Sequence, residues 1–196
     1  MRYNKFVFTL LIYLSTFINA YSIEPDIFVQ STVNRASKIL SQELSKEEKI
    51  EKLKIVAEET VDIKGIGFYT LGGARKNLND ADKKKYTKLF KNYFLKSFSS
   101  RLAEYTNPEI EVQNKKILNE NYTIVSSILK ETNKRPEIKI DWRIYTKKPE
   151  NPLIRDLIIE GLSLARTQKE EFSSILSSNN GDINSLFKSL ENFSKN

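Results

Sequence analysis

Apolar residues recur at spacings of three and four through the first half of the chain, switch to a period of two further on, and return to helical spacing at the end. Val29, Val33, Ala36 and Leu40 place one face on a helix from Pro25 to about Ser41. Ser45-Lys-Glu-Glu48 matches a capping box, in which Ser45 caps the amide three residues on and Glu48 reaches back. The helix it opens runs to about Val61, with Ile50, Leu53, Val56 and Ala57 on its buried side. Asp62 then opens a short segment, Ile63 to Leu71, which Gly72-Gly73 closes. Asn79 caps the most informative element, about Asp80 to Tyr105. Tyr86, Leu89, Phe90, Tyr93, Phe94, Phe98, Leu102 and Tyr105 form one stripe there, and Lys84, Lys88 and Lys91 share another face.

After Pro108 the pattern is that of strands. Ile110 and Val112 begin one that continues to Leu118, and Tyr122 to Leu129 reads as the next. Ile138, Ile140, Trp142 and Ile144 alternate with Lys139, Asp141, Arg143 and Tyr145, the signature of a half-buried strand. Lys147 to Asn151 is a turn, and Leu153 to Leu162 is a more continuous apolar run, broken by Arg155, Asp156 and Glu160. Helical spacing returns from Leu162 to Leu176, and Asn179-Asn180-Gly181 separates it from a last helix, Ile183 to Leu190. Helices, then consecutive strands joined by short turns, then helices again predict an α+β fold with an antiparallel sheet of about four strands.

The first twenty residues stand apart. Arg2 and Lys5 precede an apolar run of about 13 residues, Phe6 to Ile18, which ends at the small residue Ala20. This predicts a secretory signal cut after Ala20. A permanent anchor is the alternative, but a spanning helix needs roughly 20 apolar residues. The body is then residues 21–196, read as one domain: a helical part to 105, a sheet from 106 to 162 and C-terminal helices from 163.

Composition narrows the chemistry. The chain has no Cys and no His, which removes Ser-His-Asp and Cys-His catalysis, thiolate chemistry and nearly every zinc or transition-metal site. No cofactor is expected. The formal charge of +7 suits an anionic surface or an acidic partner, or is plain solubilisation; export argues against nucleic acid. Gly65-Ile-Gly67 and Gly72-Gly73 lie near Lys64 and Lys76, yet no Gly-Lys-Ser/Thr follows, so the phosphate-loop pattern is missing. Glu58, Glu59 and Asp62 lack the alternating oxygen ligands and glycine turn of a calcium loop and read as a solvated helix end.

Two stretches stand out: Asp62-Ile-Lys-Gly-Ile-Gly-Phe-Tyr-Thr-Leu-Gly72 followed by the aromatic helix, and Arg155-Asp-Leu-Ile-Ile-Glu-Gly-Leu-Ser163 followed by Gln168 to Leu176. In this order and spacing they resemble the MlaC family of periplasmic phospholipid-binding proteins, the soluble shuttle of the Mla lipid-transport system. Gly65, Gly67, Arg75, Pro152 and Arg155 depart from the family pattern. The resemblance implies a strongly curved antiparallel sheet packed with helices around an apolar cavity that holds acyl tails. Whether the apolar surplus closes into a solid core or stays open is not decided by periodicity.

On that resemblance the expected lipid contacts are Phe68, Leu71, Phe90, Tyr93, Phe94, Phe98, Val125, Ile138, Ile140, Trp142, Ile144, Leu157 and Ile159. The implied role is a monomeric periplasmic carrier, with phospholipid as cargo rather than cofactor. Its implied partners are an inner-membrane ABC transporter complex of Mla type and an outer-membrane lipoprotein complex. Lys84, Lys88 and Lys91 are a candidate docking face, with plain solvation as the alternative. Two rival readings stay open: an enzyme on a similar cone-shaped scaffold with Asp141 or Asp156 as general base, and a ligand-free adaptor with a solid core.

Overall fold

The computed structural model describes residues 22–133 and 135–195, so the predicted secretory signal lies outside the described residues. The described chain is α+β: α1 (Pro25–Leu40), α2 (Lys46–Thr60), α3 (Ile63–Thr70) and α4 (Asp80–Leu102) precede the strands. Then come β1 (Ile110–Asn119), β2 (Tyr122–Leu129), β3 (Ile138–Tyr145), β4 (Leu153–Ile159) and β5 (Leu162–Ser163), followed by α5 (Leu164–Ser177) and α6 (Ile183–Lys195).

Local sequence accounts for most of the ends. Pro25 opens α1, where its missing N–H costs nothing. The capping box of α2 is complete, with the Glu48 amide donating to Ser45 Oγ at 3.2 Å and the Ser45 amide donating to Glu48 Oε2 at 2.9 Å. Asp62 caps α3 by accepting from the Gly65 amide at 2.8 Å, and Asn79 caps α4 by accepting from the Asp82 amide at 2.8 Å. Gly72 takes the left-handed conformation, φ 55°, that ends α3 and starts a short 3-10 turn to Lys76.

The sheet is an antiparallel meander in the order β1-β2-β3-β4-β5, one strand more than the pattern predicts. The extra strand arises because Glu160 and Gly161 both adopt positive φ, 49° and 82°, in the two-residue turn that folds Leu162–Ser163 back on β4. Register shifts in β1 and β4 bend the sheet. In β4 the shift falls at Arg155: Arg143 pairs with Asp156 while Ile144 pairs with Ile154. The bulge moves the inward positions from Ile154 to Leu157 and Ile159, which oppose Trp142 and Ile140. Along its outer edge β4 is partnered by the α2–α3 junction, where the Asp62 amide donates to the Ile154 carbonyl at 3.0 Å.

The core draws on every helix and on β2, β3 and β4. Its largest fully buried side chains are Tyr86, Phe90, Phe172 and Phe187. Phe90 stands edge-on to Phe172 with ring centroids 6.2 Å apart, tying α4 to α5. Gly67 permits this packing, because a Cβ there would lie 2.8 Å from Phe90 Cδ1.

Candidate functional site

The apolar surplus does not close into a solid core. Two cavities, each of about 220 Å³, lie between the aromatic face of α4 and neighbouring elements. The first is bounded by α4, α5, β4 and the α2–α3 junction. Phe90, Tyr93, Phe94, Ser97 and Phe98 line one side, and Ile154, Leu157, Ala165 and Gln168 line the other. The second is bounded by α1, α2, the end of α4 and the inner face of the sheet. Val33, Leu40, Leu53, Val56, Leu102 and Tyr105 face Leu129, Ile140, Trp142 and Ile159 across it. Val61, Phe98, Arg101, Ile154, Leu157 and Leu164 line both, so the cavities share a wall.

The helical period explains why α4 serves both. Within it Phe90, Tyr93, Phe94, Ser97, Phe98, Arg101 and Leu102 follow one another at spacings of three, one, three, one, three and one. The Phe94 and Phe98 rings stack at 5.3 Å and 12°, a stiff section of wall. Bulge geometry in β4 supplies the opposite wall, since only the parity change at Arg155 turns both Ile154 and Leu157 inward.

Polar groups around the first cavity are largely committed to one another. Tyr93 donates its phenol proton to Gln168 Oε1 at 2.6 Å. Burial, with the Glu171 carboxylate as a second cause, holds the Tyr93 phenol above its usual range. Asp156 is 3 % exposed and accepts from Ser163 Oγ at 2.6 Å and from the Ala165 amide at 3.0 Å. Ser163 in turn caps α5 by accepting from the Arg166 amide at 3.1 Å. The stretch Asp156 to Ser163 thus builds the strand-turn-helix corner that carries α5. Arg143 Nη1 adds a longer contact to Asp156 at 3.5 Å.

Asp141, the other candidate base, sits on the face of β3 opposite Ile140 and Trp142. It accepts from Ser126 Oγ at 2.6 Å and lies 3.7 Å from Lys139. It lines neither cavity. Glu58, Glu59 and Asp62 diverge to Lys91, Arg35 and Arg155 respectively. Among the described residues no group of three His, Cys, Asp or Glu gathers in a way that could hold a metal ion.

Of the expected lipid contacts, Phe90, Tyr93, Phe94, Phe98 and Leu157 line the first cavity. Phe98, Ile140, Trp142, Leu157 and Ile159 line the second. Leu71, Val125 and Ile144 are buried in the core, and Phe68 and Ile138 pack against it half-buried. These five are not among the lining residues of either cavity. Lys84 and Lys88 are exposed, while Lys91 is paired with Glu58 at 2.9 Å. Periodicity alone does not reveal three contributions to the lining: Arg101, whose charge interrupts the apolar stripe although it lies three residues after Phe98, the faces of α1 and α2, whose apolar pattern is that of ordinary core, and Ile154, whose inward position depends on the bulge at Arg155.

A curved meander backed by helices and hollowed by adjoining apolar cavities defines a small-molecule-binding scaffold. The MlaC protein family model matches residues 30–192, and the chain belongs to that family. Among solved structures, the chain is similar to a phospholipid-binding protein from Ralstonia solanacearum in complex with a phospholipid. The TM-score is 0.74 at 17% sequence identity, over 88% of this chain and 98% of that one. No curated protein matches the sequence.

Proposed function

We propose that the protein is a phospholipid carrier of the periplasm, formed by residues 21–196 as one lipid-binding unit. It holds acyl tails in the two adjoining cavities and moves lipid between inner- and outer-membrane complexes of Mla type. The observation that carries this reading is the continuous apolar lining shared by both cavities through Val61, Phe98, Ile154, Leu157 and Leu164. Family membership supports it, as does the phospholipid held by the Ralstonia solanacearum protein of the same fold.

The energetics favour exchange. Removing an acyl chain from water is worth about 0.8 kcal/mol per methylene, or roughly 10 kcal/mol for a long chain. Lipid therefore scarcely crosses water unaided. A carrier has to match the bilayer rather than exceed it, because a much tighter pocket would not release its cargo. An apolar lining with few directed polar groups does this without bond-making chemistry. The role is that of a carrier and not an enzyme: Asp156 is spent on the corner of α5, and Asp141 lies on the other face of the sheet.

Transfer between vesicles tests the proposal. Fluorescent phospholipid in donor vesicles should reach acceptor vesicles at a rate that rises with the concentration of added protein. A rate unchanged from vesicles alone would reject the carrier reading.

A further inference from the structure

Only two residues that line both cavities are solvent-exposed, Arg101 near the end of α4 and Leu164 at the start of α5. They mark a common mouth where the apolar lining meets water. Among the described residues, Arg101 is the sole cation lining either cavity. Its guanidinium makes no hydrogen bond or ion pair there; its one electrostatic neighbour is the Tyr93 phenol, which it favours in the ionised form. Most other basic residues near carboxylates are engaged, as Arg35 is with Glu59 and Arg155 with Asp62. An unpaired guanidinium at a doubly shared mouth has the fork geometry and charge suited to a phosphate group.

We propose that Arg101 is the head-group anchor of the site, donating hydrogen bonds to the phosphodiester of a glycerophospholipid whose tails enter the cavities. The assignment rests on the carrier reading. Of the two carboxylates in the first cavity, Asp156 is already bound by Ser163 and the Ala165 amide. Glu171 lines the first cavity and not the second, and its carboxylate accepts from Gln168 Nε2 at 2.8 Å. Arg101 continues the α4 stripe at its last turn, which puts the charge at the end of the apolar lining and leaves the deeper Phe90 to Phe98 section for the tails.

The test offers the protein vesicles that contain phosphatidylglycerol and diacylglycerol with identical acyl chains, followed by lipid extraction and mass spectrometry. The wild type should take phosphatidylglycerol in preference to diacylglycerol by about ten-fold or more, the scale of a charge-assisted hydrogen bond. In Arg101→Gln that ratio should fall toward one, and Arg101→Lys should restore part of it. A wild type indifferent to the phosphate, or a Gln variant that keeps the wild-type ratio, would overturn the anchor. A wild type that takes up neither lipid would instead reject the carrier reading itself. Titration with inorganic phosphate separates the two sources of the anion. Tight, Arg101-dependent phosphate binding with unchanged lipid ratios would mean a free-anion site and overturn the proposal. Thermal melting of each variant checks that it folds; among the described residues Arg101 has no ion pair to lose.

Discussion

The Arg155 guanidinium on β4 pairs with the Asp62 carboxylate that caps α3, and Gly65 leaves the space in which they meet. A Cβ at Gly65 would lie 2.5 Å from Asp62 Oδ2 and 2.6 Å from Arg155 Cζ. Two departures from the family pattern, a glycine in a helix and an arginine in a strand, are therefore one device. The pair fastens the α2–α3 junction to the bulge that turns Leu157 inward, and the Arg155 guanidinium also covers the Tyr145 ring at 4.7 Å.

Gly65→Ala should accordingly destabilise the protein by about 1–3 kcal/mol, despite the better helix propensity of alanine. Gly73→Ala, with nothing within 4 Å of its would-be Cβ, should change stability by less than about 0.5 kcal/mol. Urea unfolding of the two variants gives the comparison, and equal effects would contradict the packing argument.

Asp156→Ala should cost about 1–3 kcal/mol by leaving the Ala165 amide and the Ser163 hydroxyl without their buried acceptor. Its loss should loosen α5 before the rest of the molecule. Hydrogen exchange would then quicken first in Leu164–Ser177, whereas uniform acceleration would argue against a local corner.

Burial raises the Tyr86 phenol well above its usual range and the Tyr93 phenol less far. Each neutral phenol is bonded in the fold, Tyr86 to Thr70 and Gly67 and Tyr93 to Gln168. For an acid raised in the folded state, the stabilising contribution is complete below the unfolded value of about 10 and falls as pH rises through it. Stability should therefore decline above about pH 10, and less steeply in Tyr86→Phe, read by denaturant midpoints across alkaline pH. An equal decline in the variant would count against this cause.

Much of the fold was legible because its signals are local. Ser45 with Glu48, Asn79, Asp62 and the alternation of Ile138 to Tyr145 each act within a few residues, and the elements begin and end close to them. The site was legible only in part. Periodicity identifies which face of α4 is apolar, but whether Phe94 meets a void and Val125 a neighbouring side chain is decided by elements distant in sequence. The Arg155 bulge is another tertiary outcome: a shift of one residue reverses which side chains face inward, and Leu153 to Ile159, apolar on both sides of Arg155 and Asp156, carries no alternation that would reveal it. Arg101 carried a signal, its spacing from Phe98, which its charge masked.

Filling the first cavity should abolish its use without unfolding the chain. Ser97 lines it on the α4 wall, so Ser97→Trp should place an indole among Phe94, Phe98 and Leu157. The variant should melt within a few degrees of the wild type, as about 1 kcal/mol moves such a transition by only a few degrees. Its vesicle-to-vesicle transfer should fall several-fold, and an undiminished rate would place the tails elsewhere.

The most direct measurement is native mass spectrometry of the protein after incubation with phospholipid vesicles, with the bound lipid extracted and identified. The account predicts a mass increment equal to whole phospholipid in the wild type and a several-fold smaller lipid-bound fraction in Ser97→Trp. A wild type that stays at the mass of the bare chain would contradict it.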